Sequence, residues 1–107
     1  MTVEELGPAE LVARLRDGEA WQIVDVREPW EIGIVSLKEA VAIPMAEIPM
    51  RHDELDRERP IAVLCHSGMR SFRVAGYLAQ LGFGRVANVA GGIDAWAREV
   101  DPSLARY

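Results

Sequence analysis

Strand-like runs that alternate with helical periodicities predict an α/β domain, with a mostly parallel central sheet and helices on both faces. Three observations carry the expectation. Short apolar, β-branched runs occur at residues 21–26, 61–65 and 85–89. Segments with helical spacing separate them, and glycine or proline punctuates the ends. At 107 residues the chain suits one compact core, so residues 1–107 are read as a single domain.

The first helix is expected in "GPAELVARLRDGE", where Pro8 suits a helix start, Leu11, Val12 and Leu15 share a face, and Gly18 is a stop signal. "WQIVDV", residues 21–26, reads as a buried strand. "REPWEIGIV" permits a short helix after Pro29, and "AVAIP" a second strand stopped by Pro44. Residues 51–59, "RHDELDRER", are almost wholly polar with mixed signs and suit a solvated helix face and loop. "IAVLC", residues 61–65, is the most apolar run and is expected at the centre of the sheet. Phe72, Ala75, Leu78, Ala79 and Leu81 then recur at helical spacing, with Gly82 at the end. "RVANV" predicts another strand and "GGIDAWAREV" a closing helix, limited by Pro102.

Composition narrows the possible partners. Half of the residues are hydrophobic, 27% are charged and the net charge is −5, which gives no general attraction to nucleic acid or an anionic membrane surface. "MTVEELGPAE" lacks a signal peptide's basic and apolar regions, and no apolar run has the length of a membrane span. A cytoplasmic location is therefore expected. The single cysteine excludes an internal disulfide, a CxxC redox pair and a multi-cysteine metal site. No metal or cofactor is expected.

That cysteine ends the central run and opens "CHSGMRS". In a parallel sheet, sites gather at the carboxyl ends of the strands. A loop between strand and helix can turn successive N–H groups inward to form an anion-binding nest, and Gly68 supplies the needed backbone freedom. A thiol at the base of such a nest ionises more readily, which predicts Cys65 as a partly exposed, activated nucleophile. The plainer alternative is a small apolar residue completing a buried strand. Ser67 and Ser71 can cap the helix or donate to a bound anion, and Arg70 can grip an oxyanion or hold the loop shape. His66 can tune the thiol, meet the substrate or simply face solvent.

Four stretches taken together resemble the rhodanese family of single-domain sulfurtransferases, over about residues 21–97: "IVDVREPWE", "AVAIP", "VLCHSGMRS" and "GFGRVANVAGGIDAWA". The resemblance implies a rhodanese-like fold and a sulfane sulfur carried as a persulfide on Cys65. The donor would be thiosulfate, a small persulfide or a protein persulfide, and the acceptor cyanide or a thiol. It further implies that His66, Ser67, Gly68, Met69, Arg70 and Ser71 form the substrate-binding cradle. Asp25 and Arg27 resemble a strand-end pair that either supports the loop or makes a fold-stabilising turn with solvated charges. Gly91 and Gly92 are expected to form a tight turn, and Trp96 to pack in the core.

The rivals are a partner-dependent carrier or noncatalytic binding module, and a phosphatase. Four residues separate Cys65 from Arg70, whereas related phosphatases have five. Two departures from the family pattern stand out. Val35, Ser36, Leu37, Lys38, Glu39 and Ala40 occupy the positions of a usual Gly-His-Ile-Pro-Gly-Ala segment, which puts the turn and the rim of the site in question. His66 stands where thiosulfate-using members often have arginine, which weakens the case for thiosulfate.

Overall fold

The computed structural model describes residues 3–107. In chain order the elements are β1 (Val3–Leu6), α1 (Pro8–Arg16), β2 (Gln22–Asp25), α2 (Pro29–Ile34), β3 (Ala40–Ala42), the one-turn α3 (Ile48–Arg51) between two 3-10 turns, β4 (Ile61–Leu64), α4 (Met69–Gln80), β5 (Val86–Val89) and α5 (Gly92–Glu99). All five strands run parallel in the order β1-β5-β4-β2-β3. The chain therefore has the predicted α/β architecture.

Alternation along the strands builds the two covered faces. Val24, Val63, Cys65 and Val86 pack with Val74, Ala75 and Leu78 of α4 on one side. Ile23, Ala62, Leu64 and Ala87 pack with Leu11 of α1 and Ile93 and Trp96 of α5 on the other. β4 and β5 are buried at every residue, as strands covered on both faces must be. No helix among the described residues is long and apolar enough to cross a membrane.

Three features differ from the sequence expectation. β1, "VEEL", is not among the strands expected from the sequence, yet it pairs with β5 from Val3↔Val86 to Leu6↔Val89. It is an edge strand, where polar side chains are tolerated. Phe72, expected on the core face of its helix, is 52% exposed, and Val74 packs there instead. The 35–40 segment forms its turn without the usual glycines and proline. The Ala40 N–H bonds to the Leu37 carbonyl at 3.1 Å, no non-glycine residue there needs a positive φ, and Val35 and Leu37 join the core. Ser36, Lys38 and Glu39 are exposed and border a cavity beside Trp96 and Leu104 on the α1/α5 face.

The crossovers fix the place of the site. From β2 the chain passes through α2 to β3 on one side, and from β4 through α4 to β5 on the other. The crevice between the carboxyl ends of β2 and β4 is the switch point where such folds bind ligands. Arg27 and Cys65 stand just beyond those two ends.

Candidate active site

Cys65 follows β4, and its side chain points to the α4 face, where only 1% of the residue is exposed. This corrects the expected partial exposure: the side chain belongs to the inward-facing set of a central strand. The loop after it turns back at Gly68 (φ 105°), which caps α4. A β-carbon at Gly68 would also press on the Gly91 nitrogen at 3.2 Å. The turn aims the Gly68 N–H at Cys65 Sγ, 3.1 Å away, while Ser71 Oγ lies 3.2 Å from the sulfur. Burial pushes the thiol up, but hydrogen bonds from the Ser71 hydroxyl and from the amides of Ser71, Gly68 and Ser67 outweigh it and leave the proton more weakly held than in a free cysteine.

A second anchor comes from α5. The N–H groups of Ile93 and Asp94 donate to the carbonyls of Cys65 and His66 at 2.9 and 3.1 Å. That approach requires the absence of a side chain at Gly92 (φ 62°). The expected tight turn at Gly91 and Gly92 is present and Trp96 is buried.

Arg70, expected either to grip an oxyanion or to hold the loop shape, is paired within the protein. Its Nη1 and Nη2 donate to Glu31 Oε1 and Oε2 at 2.6 and 2.8 Å, a bidentate pair between α4 and α2. Glu31 is 3% exposed and also accepts from the Glu28 N–H at 3.0 Å and from Tyr107 Oη at 2.7 Å. The Arg70 hydrogen bonds, against the opposing effect of burial, hold the Glu31 carboxyl at about 2 instead of the ordinary 4.5. Its folded form thus binds fewer protons than its unfolded form in that interval, so the stability it contributes is complete above pH 4.5 and is lost as pH falls toward 2. The stability advantage of the wild type over Glu31→Gln should therefore shrink by on the order of 3 kcal/mol across that window. Chemical denaturation at stepped pH checks this; a gap that stays constant would contradict it.

Asp25 and Arg27 form a buried pair, 1% and 0% exposed, not the solvated charges of the alternative reading. Arg27 Nε and Nη2 donate to the Asp25 carboxylate at 3.0–3.1 and 2.7 Å. The remaining donors reach the carbonyls of Val35 at 2.7 Å and Glu31 at 3.3 Å and Tyr107 Oη at 3.0 Å. The pair thus ties β2 to α2 and, through Glu31 and Arg70, to the Cys65 loop.

His66 stacks on Tyr107 with ring centroids 4.1 Å apart. Met69 points outward, and with Ser67, Gly68, Phe72, Asn88 and Gly91 it lines a groove of about 390 Å³ beside the loop. Ser67 and Ser71 do not cap α4; Ser71 is fully buried and faces the sulfur. Sequence reasoning missed Glu31, Asn88 and Tyr107. Asn88 did leave a signal, since an amide inside the apolar run "VANV" must find partners if that strand is central. Tyr107 left none, because only the fold brings it to the loop.

A parallel α/β fold with a lone cysteine in an amide-lined turn at the switch point defines a cysteine-centred class of site. The chain belongs to the Rhodanese-like domain family, which it matches over residues 7–99. It is 42% identical over 103 residues to a protein named sulfurtransferase from Allochromatium vinosum, covering 96% of each chain. Among solved structures it resembles a rhodanese-related protein from Thermoplasma volcanium, with a TM-score of 0.82 and 32% identity over 97% of this chain and 99% of that one. A rhodanese-like domain protein from Staphylococcus aureus is similar, with a TM-score of 0.80 and 30% identity over 98% and 99% of the two chains.

Proposed function

We propose that the chain is a sulfurtransferase in which Cys65 accepts a sulfane sulfur and passes it to cyanide or a thiol. The observation that carries this reading is the Gly68 N–H directed at Cys65 Sγ at 3.1 Å, within a turn that favours the thiolate. Membership of the rhodanese-like family and the name of the Allochromatium vinosum relative support it.

In the first step the Cys65 thiolate attacks the terminal sulfur of the donor. A bond forms from Sγ to that sulfur, the donor's own bond to it breaks, and the donor leaves with the electron pair as a thiolate, or as sulfite from thiosulfate. The persulfide anion rests against the loop amides, His66 to Ser71. In the second step the acceptor attacks the outer sulfur and the Cys65 thiolate is released. Asp25 and Arg27 act at a distance by holding α2 and, through Glu31, the position of Arg70.

The identity of the donor follows from charge. Arg70 is neutralised by Glu31 and His66 replaces a usual arginine, so the positive charge left for a dianion such as thiosulfate is that of Arg73 on the groove beside the loop. The buried thiol favours a donor that presents a slender terminal sulfur, and a persulfide, on a small molecule or a protein, meets both conditions. Intact mass after exposure to a persulfide and to thiosulfate should show one added sulfur atom on the wild type, faster from the persulfide, and none on Cys65→Ser. Absence of loading from every donor would overturn the reading. Loading from a protein persulfide alone would make the chain a partner-dependent carrier. An aryl phosphate should not be hydrolysed.

A further inference from the structure

Asn88 sits within β5, 3% exposed, and its amide has no freedom to turn. Nδ2 donates to the Glu5 carboxylate at 3.1 Å and to the Gly68 carbonyl at 3.1 Å. Oδ1 is thereby directed at Ser71 and accepts its hydroxyl at 2.5 Å. The same Ser71 oxygen lies 3.2 Å from Cys65 Sγ. A serine hydroxyl carries one hydrogen, and an amide oxygen can only accept. While Cys65 is a thiol, S–H donates to Ser71 and Ser71 donates to Asn88, so every buried group is satisfied. Once Cys65 ionises, the sulfur needs that hydrogen too, and giving it up leaves the oxygen of the buried Asn88 amide without its donor.

We infer that Asn88 is a positioning residue that governs the ionisation of Cys65 by competing with the sulfur for the single hydrogen of Ser71. Its bearing on sulfur transfer rests on the reading of Cys65 as the sulfur acceptor. In the thiolate the hydrogen turns to Sγ. In the persulfide the charge moves to the outer sulfur, Sγ becomes a poor acceptor, and the hydrogen returns to Asn88. The switch therefore restrains the empty nucleophile and releases its hold once sulfur has been loaded. No proton is transferred along this path, because an amide cannot pass one on. The charged and titratable groups around the sulfur are His66 on its own loop, Arg70 and Arg73 on α4, Glu31 on α2, the Asp25–Arg27 pair after β2, Asp94 with its partner Arg98 on α5, Tyr107 from the carboxyl-terminal segment and Glu5 on β1 behind Asn88. All of them are kept in the variants below.

The test is a pH titration of Cys65 in the intact chain, followed by thiolate absorbance and by alkylation rate normalised to its high-pH plateau. As the only cysteine, Cys65 gives an unambiguous signal. Read at the wild-type midpoint, the thiolate-to-thiol ratio should fall about tenfold in Ser71→Ala, which loses a hydrogen bond to a charged atom. It should rise about fivefold in Asn88→Ala, where a competing neutral hydrogen bond is gone. In the double variant Asn88→Ala should add nothing, since the hydrogen it competed for is absent. Ser71→Thr should restore the wild-type profile. A merely structural role for Asn88 would loosen the loop in both backgrounds, so an equal shift with and without the Ser71 hydroxyl, or a fall in the ratio in Asn88→Ala, overturns the inference. If Asn88→Ala does not fold, the side-chain amide resonance of Asn88 decides in the wild type. It should move with the Cys65 midpoint and lose most of that movement in Ser71→Ala; an undiminished movement overturns the inference. Because ionisation is read without any sulfur donor, coupling without loading would sink only the proposed function, and loading without coupling only this inference.

Discussion

Arg27→Met is expected to lower the free energy of unfolding by about 3–5 kcal/mol, a large share of what a domain of this size has. The guanidinium is fully buried and fixes five acceptor atoms: both Asp25 carboxylate oxygens, the Val35 and Glu31 carbonyls and Tyr107 Oη. Burial alone works against its charge, while the hydrogen bonds it donates to Asp25 and Tyr107 restore it and leave the group more basic than usual. Methionine fills similar volume but strands the Asp25 carboxylate, which keeps only the Arg27 backbone N–H at 3.1 Å. The severity lies in that uncompensated buried charge. Arg27→Lys should fall between, because a point charge cannot reproduce a fork. The double variant Asp25→Leu, Arg27→Met should recover much of the loss, since replacing both members removes the orphan. Urea denaturation of the wild type, Asp25→Leu, Arg27→Met and the double variant measures the cycle, with Arg27→Lys beside it. A loss below about 1 kcal/mol for Arg27→Met would mean that water satisfies Asp25.

Gly92→Ala should damage both the fold and the loop. The residue adopts φ 62°, and an added β-carbon would lie 2.6 Å from the Cys65 carbonyl oxygen and still closer to the His66 carbonyl. These atoms are backbone of the loop itself and cannot swing aside. Either α5 withdraws and gives up the Ile93 and Asp94 hydrogen bonds to Cys65 and His66, or the loop shifts and the Gly68 N–H leaves the sulfur. The expected loss is about 2–4 kcal/mol, from strain together with unpaired carbonyls, and sulfur loading should slow even in the folded fraction. Gly76→Ala is the contrasting control. Gly76 lies in α4 with open space around its Cβ position, so alanine there should be neutral or stabilising by up to about 1 kcal/mol. Thermal unfolding of both variants separates a local steric demand from a general intolerance of alanine.

The elements most legible in the sequence were those with strong periodicity. β4 and β5 are short apolar runs bounded by turn residues, α4 carries repeated apolar residues at helical spacing, and each appears where expected. β1 escaped because an edge strand tolerates glutamates, and Phe72 was misplaced because helical spacing does not say how wide the buried stripe is. In the site, Cys65 and the turn at Gly68 were readable, since a strand that ends in a thiol and a flexible residue leaves a local pattern. The partners of the loop were not. Glu31, Asn88, Glu5 and Tyr107 lie 34, 23, 60 and 42 positions from Cys65 by subtraction of their numbers, and no local rule links residues at such distances.

By itself, then, the order of residues determined an alternating α/β chain, one cysteine at the end of its central strand and the turn that follows it, because periodicity and glycine placement act within a few residues. The tertiary structure alone decided that the thiol is buried, that Arg70 is claimed by Glu31, and that one serine hydrogen lies between Asn88 and the sulfur. Those outcomes depend on which side chains the sheet order brings within hydrogen-bonding distance, and that distance is set by packing across strands distant in the chain.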